Sequence, residues 1–208
     1  MPDRKKEHWE KIYSTKQPHE VSWTQEEPTT SLGFIHGFNL SKQASIIDIG
    51  GGESKLVDRL VDEGYEDITV LDISGQALKR AKARLGNRAG GVNWVEADIT
   101  EFTPDKTFDL WHDRATFHFM TTTGQVNAYL ERARASLRGN GYLALGTFST
   151  SGPKKCSGLE IRQYSEETLQ RSLSDGFVKI KCITEDHVTP FGTRQNFLFC
   201  SFRRQTAR

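Results

Sequence analysis

The sequence predicts an α/β fold: a seven-stranded mixed sheet, helices on both faces, and an antiparallel β-hairpin at its C-terminal end. Three observations carry this reading. From Ser45 onward, short apolar runs alternate with segments whose apolar residues recur at helical spacing, the signature of strands laid parallel by crossover helices. Three consecutive glycines, Gly50 to Gly52, separate the first run from the first of those helices. The chain closes on two long runs, FVKIKCITEDHVTP and RQNFLFCSF, joined by a PFG turn, which reads as a hairpin with one reversed strand.

Taken in order, the first 40 residues stand apart from the alternation. HWEKIYSTK reads as a short helix and PHEVSWTQEEPTTSL as irregular chain. Thr30 or Ser31 is placed to cap a second short helix running through Gly37. SIIDI is a buried strand. SKLVDRLVDEG carries Leu56, Val57, Leu60 and Val61 at helical spacing and ends at Gly64. DITVLDI is a strand. SGQALKRAKARLG begins on a Ser74 cap, carries Ala77, Leu78, Ala81 and Leu85 on one face, and stops at Gly86. VNWVEADI and FDLWHD are strands. GQVNAYLERARASLRGNG is a helix with a glycine-rich stop, and YLALGTF a strand. YSEETLQRSLSDGF starts a helix with a capping box from Ser165 to Thr168, threonine standing where glutamate is usual. The expected organisation is one domain over residues 1–208, with residues 1–40 a helical lid segment and residues 45–208 the alternating core.

Composition bounds the function. A chain of 208 residues supports one sizeable core. Charged residues at 26% and hydrophobic residues at 36% fit a soluble globular protein. A formal net charge of +1 gives no argument for a nucleic-acid or anionic-membrane surface. No apolar run approaches the roughly 18 residues of a membrane span, and MPDRKKEHWEKIY has no apolar signal core. Cys156, Cys182 and Cys200 are odd in number and widely spaced, so neither a disulfide framework nor a metal site is expected. Cys182 and Cys200, on the closing strands, read as buried apolar residues. The expected setting is reducing and cytoplasmic.

The glycines ask for a ligand against bare backbone. They follow the first strand, where an open α/β sheet binds ligands at the carboxyl ends of its strands. Asp72 ends the next strand, 22 residues after Gly50, a position from which a carboxylate accepts hydrogen bonds from a ribose. A dinucleotide fingerprint would place its third glycine where Lys55 stands. Asp48 beside the loop is poor company for a pyrophosphate and good company for a cation. S-adenosyl-L-methionine carries a sulfonium and an ammonium and no phosphate, so the charge pattern favours it over NAD. Asp98 ends the third strand near the expected adenine, with Ile73 and Ile99 as apolar walls. Any one of these motifs, alone, describes a tight turn or a helix cap.

DIGGGES, VLDIS, EADI and FDLWHD occur in the order and spacing of the class I S-adenosylmethionine-dependent methyltransferases, which the chain resembles from about Ser45 to Phe148. The resemblance implies a Rossmann-like fold. It also implies that Asp48 and Gly50 lie near the methionine part, Asp72 on the ribose hydroxyls, and Asp98 with Ile99 at the adenine, while Gly51 and Gly52 extend the bare backbone against which the ligand lies. Gly51 and Glu53 depart slightly from the usual loop.

Acceptor chemistry is expected just past strand four, at DLWHDRATFHFM. His112 or Asp113 is a candidate base and Arg114 a candidate holder of an anionic substrate group. Alternatively, Asp113 and Arg114 pair with each other or with the cofactor carboxylate and stiffen the loop. His118, between two phenylalanines, is a candidate substrate contact or a packed histidine. Trp9, Tyr13 and Trp23 form a water-excluding lid or simply pack over a helix. STSGPKKCSGLEIRQYS reads as a second substrate loop. In it Cys156 is a substrate contact or an unremarkable loop cysteine, and Lys154 and Lys155 are an acidic-substrate attractor or a solvated tip. Arg194 and Gln195 either reach the site or face water.

The DRA element resembles thiopurine S-methyltransferases, whereas HWEKIYSTK…VSW resembles elongation-factor lysine methyltransferases. The leading expectation is methyl transfer to a small-molecule nucleophile. Protein lysine methylation and a non-catalytic S-adenosylmethionine-binding role are the alternatives. A nucleic-acid substrate and a metal are not expected.

Overall fold

The computed structural model describes residues 2–206. Helices α1 (Pro2–Thr15) and α2 (Thr29–Gly37) precede the first strand, β1 (Ser45–Ile49). The alternation then runs α3 (Leu56–Asp62), β2 (Asp67–Asp72), α4 (Gly75–Leu85), β3 (Val92–Glu96), β4 (Phe108–Arg114), α5 (Thr123–Ser136) and β5 (Leu137–Phe148). A small hairpin, β6 (Lys155–Cys156) with β7 (Leu159–Glu160), leads to α6 (Glu166–Leu173), β8 (Phe177–Val188) and β9 (Arg194–Arg204). The main sheet has seven strands in the order β3-β2-β1-β4-β5-β9-β8, and only β9 runs antiparallel to its neighbours. The order reverses at β1, which lies between β2 and β4, so a crevice opens at the carboxyl ends of these strands.

The sheet separates two apolar layers. Ile47, Ile49, Trp111, Leu143 and Leu145 pack with Tyr129, Leu130 and Ala133 of α5 and with Leu169 and Leu173 of α6. Ile46, Ile68, Val70, Leu110 and Ala144 pack with Leu32 and Ile35 of α2, with Leu56, Val57 and Leu60 of α3, and with Leu78 of α4. Strand side chains alternate between faces. Asp48 and His112 therefore share the α2 side with Ile46 and Leu110, while Asp113 follows Trp111 toward α5.

Local chemistry sets most element ends. Ser74 Oγ accepts the Ala77 N–H at 3.2 Å, and Gly86 ends α4 at φ +59. The Ser165–Thr168 box closes in both directions, at 3.1 and 2.9 Å. Three expectations differ. Neither Thr30 nor Ser31 caps α2: the cap position is Pro28 without a side-chain bond, and both hydroxyls reach distant groups, Thr30 to Glu185 and Ser31 to His112. The glycine-rich stop after α5 is not a loop but the start of β5, with Asn140 at φ +66 and a register irregularity opposite Phe108 and Leu110. Finally, Cys182 and Cys200 are directly opposite on β8 and β9 and joined as a disulfide. The sequence hid this pairing because 18 residues separate them and only the hairpin register brings them together.

Candidate functional site

The crevice at the strand ends is a cavity of about 330 Å³. Residues 48–99 build one side of it. Gly51 is held where a Cβ would lie 2.7 Å from both Asp48 Oδ2 and Val70 Cγ1. A Cβ on Gly50, at φ +62, would overlap the Thr116 hydroxyl. This turn presents backbone and excludes side chains, the condition for a ligand to approach the main chain. Asp48, Gly50, Gly51, Asp72, Ile73, Asp98 and Ile99 all line the cavity. Gly52 does not; it stands behind the loop, where a Cβ would lie 2.7 Å from the Tyr13 hydroxyl.

Asp72 accepts the Ser74 N–H at 2.8 Å. Burial, aided by the charges of Asp48 and Glu10, pushes its carboxyl up to about 7 against the pull of the Ser74 and Gly52 N–H groups. A buried carboxyl with a raised pKa gains from a ligand that donates hydrogen bonds to its ionised form. Lys55 and Arg84 also reach the cavity, but they are paired with Glu26 and Asp58. This side of the lining therefore offers acidic groups rather than a phosphate cradle.

The other side comes from distant parts of the chain. Trp9, Tyr13, Trp23 and Phe119 form an aromatic wall, with ring centroids 5.3 to 6.4 Å apart. Helix α1 is docked there by Glu10, which accepts the Gly75 and Gln76 N–H groups at 2.7 and 3.2 Å and so sits at the N-terminus of α4. His112 lines the cavity, its Nδ1 2.7 Å from Asp48 Oδ1 and its Nε2 2.9 Å from Ser31 Oγ. Arg114 Nη1 donates to the Trp23 carbonyl at 2.9 Å, and its guanidinium lies over the Phe197 ring at 4.9 Å. Its Nε and Nη2 are buried with no hydrogen-bond partner among the described residues. Desolvation pushes this guanidinium down to about 10 despite the charge of Glu185.

Besides Gly52, two expected site residues lie outside the cavity lining. Asp113 is fully buried on the α5 side and accepts Tyr129 Oη–H at 2.5 Å and the Thr116 and Phe117 N–H groups at 2.9 and 3.3 Å. It does not line the cavity and is not paired with Arg114; it fixes the turn that carries Arg114. His118 is also buried outside the cavity lining and stacks on Phe148 at 4.6 Å. Burial and the Arg114 charge hold its imidazole down to about 3. Cys156 does reach the cavity, and burial pushes its thiol up to about 12, so it is present as a thiol and not a thiolate. Lys155 pairs with Glu160 and Arg194 with Asp186, both at the surface. Among the described residues, no cluster of three metal-ligating side chains occurs and no helix is long and apolar enough to cross a membrane.

Residues 46–141 match the model of a methyltransferase domain family. Over that stretch the chain is similar to a methyltransferase domain. Such domains use S-adenosylmethionine, and the lining described above fits it: bare backbone at Gly50 and Gly51, acidic side chains at Asp48, Asp72 and Asp98, and apolar walls at Ile73 and Ile99. The chain is 31% identical over 155 residues to the malonyl-[acyl-carrier protein] O-methyltransferase 1 of Ilyobacter polytropus, covering 73% of this chain and 53% of that protein. It is 30% identical over 120 residues to the mouse (Mus musculus) eEF1A lysine and N-terminal methyltransferase, covering 56% of this chain and 16% of that one. The chain thus spans a minor part of one of these relatives and about half of the other. A structural neighbour is the Burkholderia thailandensis 1,6-didemethyltoxoflavin-N1-methyltransferase with its substrate and S-adenosylhomocysteine. It has a TM-score of 0.70 and 16% identity, and covers 99% of this chain and 91% of that one.

Proposed function

We propose that the domain methylates a small, planar acceptor bearing an anionic group, using S-adenosylmethionine. The observation that carries this reading is Arg114, which lines the same cavity as the glycine loop and Asp72 and holds two buried guanidinium donors that no group among the described residues satisfies. Leaving charged donors unpaired costs free energy, and a carboxylate with two oxygens repays it through charge-assisted hydrogen bonds. The aromatic wall of Trp9, Trp23 and Phe119 supplies flat apolar surface beside it.

When bound, the cofactor supplies a methyl group on a sulfonium. Asp72 would hold its ribose, Asp98 and Ile99 its adenine, and Asp48 Oδ2 its ammonium. His112 stands beside Arg114 on the same strand face, at the end of the cavity where the acceptor's proton must leave. Helix α1 and Trp23 exclude water from this end.

A protein lysine is the second reading. The aromatic wall favours it, since a ring face attracts an ammonium. The Arg114 cation opposes it, and the carboxylate that lines the cavity beside the strand-four end, Asp48, is already engaged by His112.

The test is calorimetric titration with S-adenosylmethionine, followed by mass-spectrometric detection of methyl transfer to 3-hydroxybenzoate, 3-mercaptobenzoate, 3-aminobenzoate and a lysine peptide. Transfer to a benzoate supports the reading. Transfer to the peptide alone supports the second. Cofactor binding with transfer to none of the four points to a binding protein.

A further inference from the structure

Ser31 has no signature in the sequence beyond a possible helix cap, yet it completes a chain of three buried groups. Asp48, His112 and Ser31 are each 2 to 3% exposed, and all three line the cavity. The 2.7 Å contact with Asp48 Oδ1 calls for a proton on His112 Nδ1, because a carboxylate only accepts. In the neutral ring Nε2 is then a bare acceptor, and the 2.9 Å contact with Ser31 is made by the serine O–H. No other hydrogen bond of Ser31 Oγ occurs among the described residues, and Ser31 lines the cavity, so its lone pairs have no donor partner there. This is the order of groups that activates a hydroxyl in serine hydrolases, placed here beside a methyl-transfer site.

We infer that Ser31, His112 and Asp48 form a proton relay in which Ser31, not His112, touches the methyl acceptor. This rests on the methyl-transfer reading above. It deepens that reading by requiring an acceptor with a removable proton on oxygen, nitrogen or sulfur. As the acceptor heteroatom bonds to the methyl carbon, the carbon–sulfonium bond breaks and sulfur keeps the electron pair. The acceptor proton passes to Ser31 Oγ while the Ser31 proton passes to His112 Nε2. The positive charge thus moves from sulfonium to imidazolium, which Asp48 Oδ1 stabilises until the proton leaves to water. Asp48 is a positioning residue for this step. Its Oδ2 faces Gly51, so one carboxylate orients the relay and borders the cofactor loop.

Two measurements decide it. The first is the ¹⁵N spectrum of the histidine rings in the cofactor-free protein, with His112→Gln for assignment. The expected signature is a neutral His112 carrying its proton on Nδ1, lost in Asp48→Asn; a proton on Nε2 overturns the relay. The second is turnover of 3-hydroxybenzoate, 3-mercaptobenzoate or 3-aminobenzoate, whichever wild type methylates fastest. Ser31→Ala should lower kcat by ~100-fold while leaving KM and S-adenosylmethionine affinity unchanged, and Ser31→Thr should restore most of it. An unchanged kcat in Ser31→Ala, or an equal loss in the Ala and Thr variants, overturns the relay. Failure of wild type to bind S-adenosylmethionine removes the methyl-transfer reading itself, whereas binding with an unaltered Ser31→Ala rate removes only the relay.

Discussion

The two ends of the cavity are built in opposite ways. The cofactor end comes from residues 48–99, three successive strand ends joined by short helices, and each of its residues is placed by its own turn. The acceptor end is assembled from afar. His112 meets Asp48 across 64 residues and Ser31 across 81, Arg114 meets the Trp23 carbonyl across 91, and His187 holds the Ser22 carbonyl across 165. The first end is a property of strand–turn–helix units. The second exists only once α1, α2 and the β8–β9 hairpin have docked. A substitution at the cofactor end should therefore act on one ligand, and one at the acceptor end on geometry shared by several segments.

The largest effect should come from the glycine loop. Gly50→Ala puts a Cβ where Thr116 already stands and forces an L-residue to φ +62, a conformation costing about 1–2 kcal/mol before any clash. We expect S-adenosylmethionine affinity to fall by more than ~100-fold, measured by calorimetry; near-normal affinity would show that the loop does not meet the cofactor. Asp113→Ala comes next and should act on stability. It leaves the Tyr129 O–H donor and two backbone N–H groups without their acceptor in the core, a loss of about 3 kcal/mol and hence a drop of ~6–12 °C in Tm. Cofactor affinity should stay within about threefold, as one such shift is below 1 kcal/mol. A selective loss of turnover with an unchanged Tm would return Asp113 to the chemistry.

Arg114→Met sharpens the acceptor half. It should raise KM for a carboxylate-bearing acceptor by ~10–100-fold, the worth of a hydrogen bond to a charged group, and leave a matched acceptor without the carboxylate unaffected. Equal losses for both would make Arg114 a packing residue. The smallest effect is a pH dependence of cofactor binding. Without ligand, Asp72 holds its proton up to about 7. Ribose hydroxyls donate to the ionised carboxylate, so binding expels that proton. Affinity should rise from pH 5 toward pH 7 and level off above it, with proton release visible as buffer-dependent binding enthalpy. Asp72→Asn should flatten that profile.

Much of the fold was legible because its signals are local. The Ser74 and Ser165 caps and the Gly86 stop depend on neighbours within a few residues. The alternation of strands and helices sets the sheet through crossovers too short to allow many topologies. A local signal also bears on Asp113. Strand period two puts His112 and Arg114 on one face of β4 and Asp113 on the other, so the three were never equivalent candidates. His118 carried no such signal, since it lies on a single 3₁₀ turn after the strand. Ser31 looked like a cap because serine near a helix start usually is one; here its hydroxyl is held by a histidine from another element.

By itself, the sequence determined the alternating α/β sheet, the bare backbone loop and the acidic strand ends, because each follows from torsional preference, period and charge within a short stretch of chain. Only the tertiary structure decided the rest: that Cys182 faces Cys200, that Arg114 has two buried donors without a partner among the described residues, and that Asp48, His112 and Ser31 form one line. Those relations are distances between segments far apart in the chain. They are set by how the helices pack on the two faces of the sheet, which no local pattern encodes.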